Sequence, residues 1–442
     1  MERGRDFLTK DQITGDRLEK KMIERRGREK VMAFVMAGGE GSRLSPLTAD
    51  RCKPAVPFGS RYRIVDFVLS NLVNSDIRSI YLLVQYKPQS LIEHIRKGWT
   101  VSALFSEQFV TVVPPQMTDK KTLFGGTADA VYQSLSLMEM HRPDLVVVFG
   151  ADHIYRMDVR QMVRFHCANE ADVTVAALPV PLDQASSFGI IDTDKSGQIC
   201  GFQEKPKRAK PMPNDPQRAY ASMGNYLFNA DILRAALEEA HKRGETDFGH
   251  HVLPRLSKTH RAFAYDFSTN VVPGTKSYEE KGYWRDVGTL DAYFEAHFDV
   301  LGLEPRFDAF NPQWPIYSSH YQGPTARVVQ GNLDNVLLGA ATIINGAKIR
   351  NSILRREVVV EPGAEIEDCI IMDYVRIGRG AKLRRAIIDR HNVIPAGTHI
   401  GFDAAADRKK YTVTEGGLVV LPLGDVRYYS REEQRLGTGY SE

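Results

Sequence analysis

Between Val31 and about Asp299 the chain alternates short apolar runs with longer stretches whose apolar positions recur at helical spacing. Ile80–Val84, Leu145–Phe149, Val173–Leu178 and Met223–Phe228 predict strands, because they are short and continuously apolar. Ile64–Asn74, Ala128–His141, Asp158–Glu170, Asp231–Lys242 and Leu290–Val300 predict helices; in the first, Ile64, Phe67, Val68 and Leu72 line one face. Strands alternating with helices predict an α/β domain with a largely parallel sheet, placed at residues 31–310.

After Phe310 the pattern changes. A proline-rich stretch beginning Asn311-Pro312-Gln313-Trp314-Pro315 predicts a linker over 311–330. Beyond it, Gly346-Ala347-Lys348-Ile349 recurs as Gly363-Ala364-Glu365-Ile366, Gly380-Ala381-Lys382-Leu383 and Gly397-Thr398-His399-Ile400, seventeen residues apart each time. Short apolar runs such as Cys369-Ile370-Ile371 sit between the glycines. A fixed period with a glycine corner and an inward aliphatic per short strand predicts a parallel β-helix of about four rungs over 331–442. Residues 1–30 are densely charged and predict a peripheral arm, with Asp16–Arg28 a candidate solvated helix.

Bulk properties narrow the class. The net charge of +3 is small and its cations are dispersed, which excludes a nucleic-acid stripe. No apolar run reaches the ~18 residues of a membrane span, and the charged start has no secretory core. Cys52, Cys167, Cys200 and Cys369 have neither metal nor disulfide-framework spacing and suit a reducing cytoplasm.

The richest stretch is Gly38-Gly39-Glu40-Gly41-Ser42-Arg43-Leu44, following the apolar run Val31–Met36, with Lys53-Pro54 beginning ten residues after Arg43. A strand feeding a glycine loop with two cations is what a polyphosphate requires: backbone N–H groups meet its oxygens and the cations neutralise them. It is neither a Walker A loop nor a dinucleotide fingerprint. Asp152 follows the run Leu145–Phe149, where open α/β sheets place ligands; it reads as a metal ligand or a helix cap. Asp286, in Tyr283-Trp284-Arg285-Asp286, is the second candidate for Mg²⁺, with a cap as its alternative. Gly126 lets backbone lie against a base, Thr127 is a candidate helix cap, and Gln85 suits an adenine edge. Glu204-Lys205 pairs an acceptor for sugar hydroxyls with a cation for a sugar phosphate, and Ser222 adds a hydroxyl.

Together the strings G-G-E-G-S-R-L, K-P-A-V, G-T-A-D-A-V, A-D-H-I-Y, E-K-P, A-S-M-G and Y-W-R-D-V-G-T, with Gly98-Trp99, closely resemble the ADP-glucose pyrophosphorylase (glucose-1-phosphate adenylyltransferase) family from about Met32 to Leu421. The resemblance implies a Rossmann-like nucleotidyltransferase domain followed by a left-handed parallel β-helix. It implies ATP and glucose 1-phosphate as substrates, ADP-glucose and pyrophosphate as products, Mg²⁺ as cofactor, a homotetramer, and a place in glycogen or starch synthesis. By the same resemblance, Gly38, Gly39, Gly41, Arg43 and Lys53 hold the triphosphate, with Gln85, Phe124, Gly126 and Thr127 on the nucleotide. Asp152 and Asp286 hold the metal, and Gly189, Glu204, Lys205 and Ser222 the sugar phosphate. Phe124 stands where many members carry a tyrosine, so it is the expected stacking ring.

Small anionic effectors are also implied, with Arg51, Arg63, Arg384, Arg385, Lys409 and Lys410 as candidate cations, each equally readable as a solvated base. Ser45-Pro46 replaces a lysine-containing pair that some members use for an activator. That departure favours a monophosphate or carboxylate over fructose 1,6-bisphosphate. Two rivals remain. One is another sugar nucleotidyltransferase with a β-helix, whose bifunctional form needs a longer coil. The other is a non-catalytic subunit, which would have lost Arg43, Asp152 or Lys205.

Overall fold

A computed structural model describes residues 29–99, 108–116 and 123–425; the candidate helix Asp16–Arg28 and most of the charged arm lie outside them. The strand Val31–Ala37 lies at the centre of the large sheet, parallel to Ser79–Val84 on one side and to Leu145–Gly150 on the other. Its residues alternate between two apolar clusters: Ala33, Val35 and Ala37 enter one, Met32 and Phe34 the other. Both faces are covered, which is why these strands read as unbroken apolar runs. The chain leaves the central strand toward one neighbour and returns on the other side. This makes a switch point at the carboxyl ends of Val31–Ala37 and Leu145–Gly150.

The helix Ile64–Asn74 forms over the predicted span, with Asp66 accepting from the Arg63 N–H at its start. The predicted helix Ala128–His141 is two helices, Thr127–Tyr132 and Leu135–His141. Ser134 breaks it: its hydroxyl donates to the Ala130 carbonyl and competes with the backbone.

The coil begins with the strand Arg327–Leu338, inside the segment read as linker. Its register stacks one aliphatic over the next on three sides. Ile344, Val360, Ile377 and Ile394 form one column, Ile349, Ile366, Leu383 and Ile400 the second, and Leu354, Ile371, Ile388 and Leu421 the third. Gly346, Gly363, Gly380 and Gly397 all have positive φ, from 64 to 77°. The other two corners are left-handed without glycine: Asn351, Asp368 and Arg385 at one, Glu357, Tyr374 and His391 at the other. Only the glycine corner was legible in the sequence.

The two domains share a core. Leu44, Val56, Phe58, Phe67 and Tyr293 pack with Ile370, Met372, Ile387, Leu418 and Val420 of the coil in one buried cluster.

Candidate active site

The glycine loop and Asp152 emerge side by side at the switch point, since Met36 pairs with Gly150 and the Ala151 N–H donates to the Met36 carbonyl. Gly41 has φ 70°, and a Cβ there would stand 3.2 Å from both Lys53 and Thr48. At Gly39 a Cβ would meet nothing within 4 Å, so its backbone faces open space. Arg43 follows on an exposed turn, as a loop cation should.

A short ladder pairing His153–Tyr155 with Trp284–Asp286 brings Asp286 opposite His153. This joins two carboxylates far apart in the chain. The Lys53 ammonium lies between them, 3.0 Å from Asp152 and 3.1 Å from Asp286. The lysine side chain is 9% exposed, whereas Asp152 and Asp286 are 40% and 33% exposed. The carboxylates therefore face the cleft and the cation backs them. Burial alone would raise the Asp152 pKa; His153 and Lys53 outweigh it and hold the carboxyl well below the usual range. Burial would likewise lower the Lys53 pKa, but Asp152 and Asp286 raise it, so the ammonium stays charged.

Ligand atoms of Asp152, His153 and Asp286 all lie within 4.8 Å of one another. Two hard carboxylates that keep free lone pairs fit a divalent cation. Gly288 borders the same spot: a Cβ there would stand 3.1 Å from Asp286 and 3.2 Å from Arg43. His153 Nδ1, Trp284 Nε1 and Asn225 Oδ1 are buried without a protein partner.

In the same domain, Gly189 abuts Glu204: a Cβ would come 2.8 Å from its Oε2. Gly249 touches the same carboxylate, at 3.2 Å for a Cβ. Lys205 ends the strand Ile199–Glu204 with φ 45°, its Nζ 3.4 Å from Glu204 and its side chain 62% exposed. Ser222 precedes a bulge at which Gly224 has φ 70°. Tyr226 and Asp247 join this group, though the sequence singled out neither. The Tyr226 hydroxyl titrates high, chiefly from burial. Asp247 accepts from Thr127 Oγ1 at 2.9 Å.

Three expectations change here. Thr127 does not cap its helix: its hydroxyl donates to Asp247 and accepts from the Phe248 N–H, so it ties the helix Thr127–Tyr132 to the turn Phe248–Val252. Phe124 is buried in the core, 8% exposed, with its N–H held by the Gln85 side-chain oxygen, and offers no open stacking face. Arg51 is 2% exposed, and its guanidinium pairs with Asp389 of the coil, so it joins the domains instead of awaiting an effector. The Gln85 side-chain oxygen is committed to the Phe124 N–H.

The Nucleotidyl transferase family model matches residues 32–302, and the GlmU-like C-terminal hexapeptide model matches residues 324–421. A glucose-1-phosphate adenylyltransferase of Thermodesulfovibrio yellowstonii is 56% identical over 394 residues, spanning 89% of this chain and 96% of that one. Those of Corynebacterium jeikeium and Thermus thermophilus are each 47% identical, over 90% and 89% of this chain and 98% of each relative. The chain belongs to the glucose-1-phosphate adenylyltransferase family. It is a nucleotidyltransferase, and its hexapeptide coil is the left-handed β-helix expected of the family. A divalent metal is usual among nucleotidyl transferases, in keeping with the Asp152–Asp286 pocket. No helix among the described residues is long and apolar enough to cross a membrane.

Proposed function

We infer that the chain transfers the adenylyl group of ATP to glucose 1-phosphate, giving ADP-glucose and pyrophosphate for glycogen synthesis. The observation that carries this is the Lys53–Asp152–Asp286 group at the mouth of the glycine loop, in a chain so similar to the adenylyltransferases. In our reading the loop from Gly38 to Gly41 cradles the triphosphate, with Arg43 and Lys53 on its oxygens. Asp152 and Asp286 hold Mg²⁺, which when bound offsets charge on the phosphates. Glu204 accepts glucose hydroxyls with Tyr226 and Ser222 beside it, and Lys205 holds the sugar phosphate. A phosphate oxygen of glucose 1-phosphate bonds to the α-phosphorus in line as the bond to pyrophosphate breaks. Little proton transfer is needed, so the residues work by positioning and charge.

Lys205 gives the separating test. Lys205→Ala is expected to raise KM for glucose 1-phosphate about ten- to a hundredfold, the worth of a charge-assisted hydrogen bond, and KM for ATP far less. Because the side chain is exposed, the melting temperature should hold. A larger change in KM for ATP would move Lys205 to the nucleotide side.

Cytoplasmic location and a catalytic domain over 31–310 also remain our reading, with the linker ending before Arg327, where the coil begins. We assign a homotetramer in the same way; the strand Arg327–Leu338 supports association, since it is largely exposed and pairs in the described residues with Ile343–Leu354 alone. For the effector, Arg63 is the best-supported candidate. It lies half-buried at the domain boundary, donating to the Ser90 carbonyl and hydroxyl, and burial, with Arg390 and Arg51 nearby, pushes its pKa down to about 10. Arg384 lies over Phe402 on the coil, Arg385 over Phe294, and Lys409 and Lys410 are exposed at the far end. A monophosphate or carboxylate should shift apparent ATP affinity about five- to 150-fold, and fructose 1,6-bisphosphate less. Titration of both at subsaturating ATP checks this; activation by the bisphosphate alone would refute it.

A further inference from the structure

The loop that carries Lys53 is gripped by the β-helix on both sides. Before the lysine stands the buried Arg51–Asp389 pair. After it, Arg355 of the coil, 4% exposed, holds a turn of backbone. One of its nitrogens, Nη1, donates to the carbonyls of Gly59 at 2.7 Å, Tyr62 at 3.1 Å and Phe58 at 3.2 Å. Its Nε donates to Asp373 at 3.0 Å, which fixes the plane of the fork. The turn is tight, with Gly59 at φ 55°, and the Tyr293 hydroxyl donates to the neighbouring Pro57 carbonyl.

Adhesion between the domains does not require this. Val56 and Phe58 already pack with Ile370, Met372, Ile387 and Val420. Apolar burial holds surfaces together but is non-directional. A planar guanidinium on fixed carbonyls is directional, and burying it is costly unless every bond is well made. Directional restraint is what the far end of the loop needs, because Lys53 must stand within hydrogen-bond reach of two separate carboxylates at once.

We propose that Arg355 is a positioning residue for Lys53: through the Phe58–Tyr62 turn, with Arg51–Asp389 as the second grip, the β-helix sets where the lysine ammonium stands and so completes the active site. The proposal rests on the assignment of Lys53 to the phosphates and carboxylates. It makes the coil part of the catalytic machinery of its own chain.

The test is a double-mutant cycle in the full-length protein. Arg355→Lys keeps a charge for Asp373 but loses the planar fork. It should lower kcat about tenfold, with KM for glucose 1-phosphate within about twofold. In a Lys53→Ala background the same change should lower the residual kcat by less than about twofold, because its effect runs through the missing lysine. Asp389→Asn, which keeps the volume of the second grip, should behave alike with a smaller loss, and it carries the test alone if Arg355→Lys does not fold. Unchanged kcat in the folded variants would overturn the proposal. So would an equal loss with and without Lys53, which is general structural damage. If Lys53→Ala by itself turns over normally, the assignment of Lys53 fails and the proposal falls with it; if it is impaired and the cycle is additive, only the proposal falls.

Discussion

Asp152→Asn should lower kcat by about a thousandfold while the protein stays folded, since a metal-held charge at the transition state is worth several kcal/mol. The substitution keeps the shape of the side chain and removes its charge. Folding should tolerate it because the side chain is 40% exposed at the cleft and Lys53 keeps Asp286 as a partner. The native carboxyl is held ionised by His153 and Lys53 against the effect of burial, so it serves as an anion throughout the neutral range. Steady-state kinetics at saturating Mg²⁺ read the effect, with a thermal melt as the control. A variant that keeps a tenth of the native kcat would show that Asp152 is not a metal ligand.

Lys53→Ala should have the second-largest effect, and two readouts should move in opposite directions. In the free protein the ammonium occupies the space between Asp152 and Asp286, where it competes with a divalent cation for the same oxygens. Removing it leaves two carboxylates without a counter-charge, and like charges held close attract a cation more strongly. Binding of Mn²⁺ to the nucleotide-free protein should therefore tighten, by about tenfold for the loss of one competing charge–charge contact. Turnover should nevertheless fall about a hundredfold, because on our assignment the same ammonium also meets the triphosphate oxygens. Mn²⁺ titration followed by electron paramagnetic resonance reads the first, and kcat the second. Weaker metal binding together with unchanged turnover would place Lys53 outside the chemistry.

How much of this was visible in the chain follows from the distance over which each signal acts. The glycine loop and Asp152 stood out in the chain because each follows its strand within a few positions, whereas the approach of Lys53 to Asp152 and Asp286 is visible only in the fold. The β-helix was legible because glycine, the residue least strained at positive φ, stands at the same left-handed corner of successive rungs, Gly346, Gly363, Gly380 and Gly397, so the period is written in one residue type. The other two corners are carried by Asn351, Asp368, Arg385, Glu357, Tyr374 and His391, whose identities share nothing. Asp247 was missed because its role comes from meeting Thr127, 120 residues away, at a single π-helical turn, Phe248–Val252. Arg51 and Phe124 were misjudged for a common reason. Sequence displays a charge or a ring but not its burial, and both side chains are committed to packing, Arg51 against the coil and Phe124 within the sheet's core. Tyr226 belongs to a strand recognised from its apolar pattern, and that pattern hides which residue faces the cleft.

The most direct test is pyrophosphate release with glucose 1-phosphate against ATP, UTP, GTP and dTTP, each with Mg²⁺ and with chelator. The expected result is turnover with ATP well above the other three, abolished by chelation. Equal or faster turnover with UTP or GTP, or release that persists without a divalent cation, would contradict it.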